Sequence, residues 1–254
     1  MVVYIRETPV PTETSINKYN AMVGFYLRGK EIVRYQSINE IVELRKEDIV
    51  VDYIKETLEI LQLMGVDTNF EDYPSELSAF YGRNIRKGVL GEIANIPENW
   101  GQFVKPLLAD KAFTGRVVNG TKDLIGIGLP FDFPVWISED VAFQAEWRVF
   151  VLNGEILDVR PYKGDYHHLK YDASLVDEAV AAWKASPSAY VLDVGVTSDG
   201  RTLIVEVNDG YAVGNYGLMP ISASRFLEAR WQELTAPYFE KHEVLLINKE
   251  KHTF

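Results

Sequence analysis

AYVLDVGVTSDGRTLIVEVNDG, residues 189–210, decides how this chain is read. Two runs rich in Val, Leu and Ile flank Asp199-Gly200, a dipeptide that accepts positive φ and suits a tight hairpin turn. With a two-residue turn, Ser198 faces Arg201 and the pairs run outward. Gly195 then faces Ile204, Val194 faces Val205, and Asp193 falls opposite Glu206. Period-two alternation sets Asn208 on the same side as Glu206. Two carboxylates and an amide oxygen therefore converge inside otherwise apolar strands. Like charges opposed on a sheet repel, so solvent, a shared proton, a basic side chain or a cation must offset them. A cation held by oxygen alone suits Mg²⁺ or Mn²⁺, not zinc or copper. The plain alternative is an exposed sheet face with ordinary charges.

Composition narrows the classes around this hairpin. The 254 residues are 47% hydrophobic and 25% charged, enough for one large domain or two small ones. A net charge of −11 argues against a nucleic-acid partner. There is no cysteine, so disulfides, thiolate zinc sites and cysteine nucleophiles are excluded. The opening MVVYIRET lacks a long apolar run and no stretch reaches membrane-span length, so the expectation is a cytoplasmic protein with no membrane partner.

Outward from the hairpin, other turns organise the chain. GFYLRGKEIV (24–33) reads as a hairpin across Arg28-Gly29-Lys30. Residues 51–65 read as a helix, with Val51, Ile54, Leu58 and Leu61 on one face and Gly65 as its stop. Pro74 opens a helical stretch with Leu77, Phe80 and Tyr81 inward. FVKP (103–106) is a short strand. Asn119-Gly120 joins GRVV to TKDLIGI, and Asn153-Gly154 joins EWRVFVL to EILDVRPY, as further hairpins. Residues 175–186 and 222–234 are amphipathic helices, packed through Val176, Val180 and Trp183 and through Leu227, Trp231 and Leu234. The pattern predicts an α+β fold with largely antiparallel sheets.

Aspartate on one strand and E-x-N on the next, here Asp193 and Glu206-Val207-Asn208, resemble the metal site of the ATP-grasp superfamily. Other features follow in that family's order. Lys105 in FVKP resembles its first nucleotide lysine, and LADKAFTGRVV (108–118), with Lys111, stands in place of its phosphate-covering loop. VWISEDV (135–141) resembles the strand where backbone at Ile137 and Ser138 and the acid Glu139 hold adenine and ribose. EWRVFVLNGEIL (146–157) resembles the strand pair opening the second lobe. The match is to a branch with EWRVFV, LDVGV and VEVNDGY motifs, and its one departure is a phosphate loop with a single glycine.

The resemblance implies an ATP-grasp fold of two α/β lobes clasping ATP. It implies an N-terminal α/β region over 1–95 on the substrate side and an ATP-grasp domain over 96–254. The lobes would span about 96–140 and 141–235, with a C-terminal extension at 236–254. It implies ATP with Mg²⁺, Mn²⁺ being possible, and a ligase that activates a carboxylate as an acyl phosphate for attack by an amine. The substrates would be small-molecule or peptide carboxylates and amines. Arg148 and Lys163 are its expected catalytic cations, Lys105, Lys111, Ile137, Ser138 and Glu139 its nucleotide residues, and Asp193, Glu206 and Asn208 its metal ligands. A non-catalytic ATP-binding sensor or scaffold and an ATP-grasp kinase are the alternatives.

The remaining polar residues are less specific. Glu146 and Arg148 share a strand face and could pair with each other, and a two-residue turn at 153–154 would set Arg160 opposite Trp147. Adjacent His167 and His168 point apart on a strand and so do not form a joint metal site. NDGYAVGNYG (208–217) reads as a substrate-side loop, with a plain turn cluster as the alternative. Arg83, Arg86 and Lys87 form a basic run that either attracts an anion or is a solvated helix face. No P-loop, dinucleotide fingerprint or G-x-S-x-G elbow occurs.

Overall fold

The computed structural model describes residues 1–8, 15–107, 112–167 and 169–247. The chain begins with β1 (Val2–Arg6), α1 (Ser15–Leu27), β2 (Glu31–Tyr35), β3 (Glu43–Arg45), β4 (Ile49–Val51) and α2 (Ile54–Leu63). β1, β2 and β4 form a parallel sheet in the order β2-β1-β4. The hairpin expected over 24–33 is absent. Residues 24–27 are the last turn of α1, and Gly29 takes φ +71 while the Lys30 N–H closes back on the Phe25 carbonyl at 3.1 Å. A left-handed glycine one step past a helix ends it as readily as it makes a hairpin. Val51 likewise belongs to β4, and α2 begins only at Ile54.

A second group follows: β5 (Ile85–Val89), α3 (Gly91–Ala94), β6 (Gln102–Pro106), β7 (Arg116–Val118) and β8 (Pro134–Glu139). These strands form one antiparallel sheet in the order β5-β8-β6-β7. β5 pairs with β8 although it lies before residue 96. Asn119-Gly120 does not join two strands. The Asn119 N–H donates to the Asp123 carboxylate at 2.8 Å, and a 3-10 turn, Thr121–Leu124, follows. The stretch Ser75–Phe80 is also 3-10, with Leu77 and Tyr81 buried.

The third group is β9 (Phe143–Leu152), β10 (Glu155–Gly164), α4 (Ala173–Ala182), β11 (Ala189–Thr197), β12 (Thr202–Asp209), α5 (Pro220–Phe239) and β13 (Val244–Leu246). Its antiparallel sheet runs β10-β9-β11-β12. Asn153 and Gly154 both take positive φ, 52° and 78°, as a two-residue turn requires. Leu157 is a bulge, and it shifts the register so that Arg160 faces Arg148 rather than Trp147. The packing faces of α4 and α5 are buried as expected. α5, however, packs against α1, and Trp231 enters the N-terminal core with Ile5, Phe25 and Leu61. β13 pairs with β3, so the chain's end returns to its beginning. Among the described residues no helix is long and apolar enough to cross a membrane.

Candidate functional site

The β11–β12 hairpin places Asp193 opposite Glu206, but not through a two-residue turn. The loop holds Ser198, Asp199 and Gly200, with Gly200 at φ +82 and the Thr197 N–H donating to the Arg201 carbonyl at 3.0 Å. Inner pairs are therefore displaced by one: Gly195 faces Leu203 and Val194 faces Ile204. A bulge at Val205 then restores the register one residue before Glu206. Bulging leaves carbonyls without ladder partners, and Arg83 supplies them. Its guanidinium donates to the Ile204 and Val205 carbonyls at 2.8 and 2.6 Å and to the Tyr81 carbonyl at 3.0 Å. Burial lowers the Arg83 pKa from its ordinary value. Of the basic run, Arg86 pairs with Glu92 and Lys87 with Glu71, on a strand and not on a helix.

Between the two four-stranded sheets lies a cleft of about 470 Å³. β6 contributes Lys105, β9 contributes Arg148, and β12 contributes Glu206, Asn208 and Asp209. Phe103, Phe113, Thr114 and Gly115 line the side opposite, in and after the segment expected to cover phosphates. Lys111 and His168 lie outside the described residues. Asp72, which the sequence did not single out, completes the polar set. The Val207 N–H donates to its carbonyl at 3.0 Å, fixing it beside β12.

Lys105 stands between two acids. Its Nζ is 2.6 Å from Asp72 Oδ2 and 2.6 Å from Glu206 Oε2, with the Tyr73 ring 5.3 Å away. Burial opposes the ammonium charge, but Glu206, then Tyr73 and Asp72, outweigh it and raise the Lys105 pKa above its ordinary value. Burial pushes the Tyr73 hydroxyl up to about 12.

Arg148 pairs with Asp193 and not with Glu146. Its Nε and Nη2 donate to the two Asp193 oxygens at 2.8 and 2.7 Å, and Nη1 donates to the Gly214 carbonyl at 3.2 Å. Tyr162 and Tyr216 stack on each other at 5.0 Å, with the guanidinium near both rings. Burial works against the Arg148 cation, but Asp193 holds its pKa above the ordinary arginine value. Glu146 instead accepts from Tyr162 at 2.6 Å and pairs with Lys163. Lys163 is 61% exposed and does not line the cleft. His167 is exposed and stacks on Tyr166.

The expected metal ligands are brought together, in unequal states. Glu206 and Asn208 face the cleft, and the Asn208 amide donates to Glu206 Oε1 at 3.0 Å. Asp193 is 2% exposed and both its oxygens accept from Arg148. The hard-oxygen chemistry of Glu206 and Asn208 fits Mg²⁺, whereas Asp193 stands behind the arginine. The expected adenine-holding backbone is also occupied. Ile137 and Ser138 are buried in the central strand β8, laddered to β5 on one side and β6 on the other. The Glu139 carboxylate accepts from the Asn84 N–H at 2.8 Å.

A family model described as an ATP-grasp domain, the second family of its clade, matches residues 80–226, more than half of the chain. The chain belongs to that ATP-grasp family. Its α+β architecture is an ATP-grasp fold, as solved structures also show. The D-alanine--D-alanine ligase of Bacillus anthracis superposes with a TM-score of 0.59 at 16% identity, over 95% of this chain and 100% of that one. The same ligase complexed with ATP gives 0.55 at 16% identity, over 95% and 100%. D-cycloserine synthetase DcsG gives 0.58 at 11% identity, over 90% and 98%. Macrocyclase MdnC from Microcystis aeruginosa, bound with precursor peptide MdnA, gives 0.50 at 13% identity, over 89% and 99%. No curated protein sequence matches the chain significantly.

Proposed function

We propose that this ATP-grasp protein is a Mg²⁺-dependent carboxylate–amine ligase that binds ATP in the cleft between its two four-stranded sheets. The observation that carries this proposal is the convergence of Lys105, Arg148, Glu206 and Asn208 on one cleft. Family membership and the ATP-bound ligase of the same fold support it.

In this reading the polyphosphate displaces the carboxylates now facing Lys105, and the ammonium transfers to phosphate oxygens. Arg148 is prepositioned by Asp193, the Gly214 carbonyl and two tyrosine rings. Three of its N–H donors are engaged, leaving two of the five that a guanidinium carries. Those two steady the transferring phosphoryl group or the incoming carboxylate. A substrate carboxylate oxygen attacks the γ-phosphorus, the bond to the β-phosphate oxygen breaks, and ADP leaves. An amine then adds to the carbonyl of the acyl phosphate, loses its proton and expels phosphate, leaving an amide. The protein's part is positioning and charge neutralisation. Mg²⁺, held by Glu206 and Asn208, supplies positive charge to the phosphate oxygens. The substrates are small-molecule or peptide acids and amines.

Calorimetry with ATP, with and without Mg²⁺, tests the site. Glu206→Gln is expected to weaken Mg·ATP binding by at least about tenfold, or 1.4 kcal/mol. Undiminished Mg·ATP affinity in that variant would refute the proposed ligand. One observation favours a second reading, a non-catalytic ATP binder: Lys163 points away, so among the described residues Lys105 and Arg148 alone bring cations to the cleft. Binding with no ADP release on any mixture of acids and amines would select it.

A further inference from the structure

A second cavity, of about 750 Å³, adjoins the first. The two share Ile54 and the segment 211–214 in their walls. The second is walled mainly by hydrocarbon from Val51, Leu58, Phe150, Leu218 and Phe226. Into this apolar lining comes a lysine. Lys18 shares the core-facing stripe of α1 with Ala21 and Phe25, where helical periodicity calls for an apolar residue. It is only 5% exposed.

Among the described residues no carboxylate lies within ion-pair distance of Lys18. Its ammonium sits 3.0 Å from the centroid of the Tyr53 ring, a cation–π contact. The two acids of the wall have other partners. Asp52 accepts from the Tyr35 hydroxyl and the Tyr53 N–H and lies 3.7 Å from Arg6. Glu59, at the exposed rim, is 3.9 Å from Lys55. Burying an ammonium without a counter-charge is costly, and an anion entering the cavity would remove that cost.

We propose that this cavity binds a carboxylic acid with an apolar body, its carboxylate on Lys18 and its body against the hydrocarbon wall. The volume is that of a small-molecule site. As an anion pocket it stands on Lys18 and the wall alone. As the seat of one of the two ligase substrates, entering through the shared wall, it rests on the function proposed above.

The probes are N-acetylated leucine, phenylalanine and tryptophan, each compared with its neutral carboxamide, by calorimetry on the full chain without nucleotide. Wild-type protein is expected to bind at least one acid at least about tenfold more tightly than its amide. Lys18→Met should abolish that preference while leaving Mg·ATP affinity within about twofold and the melting temperature no lower than wild type. Lys55→Met, at the rim, should keep it. Equal binding of acid and amide, no binding of any acid at millimolar concentration, or a preference that survives Lys18→Met would each overturn the inference. Because nucleotide is absent from the acid titrations, failure to bind Mg·ATP would count against the ligase reading and not against the anion pocket.

Discussion

Two buried lysines face two neighbouring cavities, and they are solved in opposite ways. Lys105 is flanked by two carboxylates at 2.6 Å each, on a sheet strand. Lys18 has an aromatic ring and hydrocarbon, on a helix face. The first cation is part of a balanced cluster, so removing it leaves two acids facing each other. The second balances no charge among the described residues, so removing it leaves none of them stranded. Burial alone therefore does not say whether a charge holds the fold together; what decides is whether the partners remain behind when it goes.

Opposite stability effects are the sharpest consequence. Lys105→Met should destabilise by about 1–3 kcal/mol, reduced from the fully buried case because the cluster is partly solvated. That corresponds to a melting temperature lower by roughly 2–12 °C for a chain of this size. Lys18→Met should leave it unchanged or raise it. Calorimetric melting of both variants checks this, and a loss of equal size in the two would break the comparison.

Arg83 probes how the Lys105 cluster is aligned. Arg83→Met strips the bulge carbonyls of Ile204 and Val205 of their donor. A cost of about 2 kcal/mol follows. Because that bulge sets Glu206 toward Lys105, Mg·ATP binding should weaken as well, while binding of apolar acids at Lys18 should not. If both ligands weaken alike, the two cavities are not independently built.

The smallest effect is in pH. The raised pKa values of Lys105 and Tyr73 mean that the folded state retains these protons more strongly than the unfolded chain. Their contribution is complete below the ordinary values of 10.5 and 10.0 and declines as pH rises beyond them. The stability gap between wild type and Lys105→Met should therefore stay constant from about pH 7 to 9 and narrow above about pH 10.5. A gap that widens in alkali would contradict the paired state of Lys105.

Much of this was legible in the residues. The alternation in 189–210 was enough to place Asp193 against Glu206, yet the pairing arises from a three-residue turn and a bulge that cancel. Period-two patterns do not reveal bulges, because an extra residue leaves the composition of a strand unchanged. The same limit misplaced Arg160. Gly29 and Asn119-Gly120 were misread because residues tolerant of turns serve helix ends and 3-10 turns as well as hairpins. Asp72 was invisible for another reason. It lies in an irregular loop and reaches the site through the Val207 N–H and Lys105, more than thirty residues away in the chain at the nearest. Nor did the sequence show that Asp193 would face an arginine: alternation assigns a face, while the partner comes from the neighbouring strand β9.

The paired turn and bulge at the end of β11–β12 have a bearing on how such a chain changes over time. Between the hairpin tip and Glu206 stands one residue that the ladder does not use. A tip that gains or loses a residue need not drag the acids out of alignment, since the slack can be taken up at Val205. Insertions and deletions at 198–200 are thereby uncoupled from the cleft, and the outer end of this hairpin is free to vary in length while the inner end keeps its chemistry.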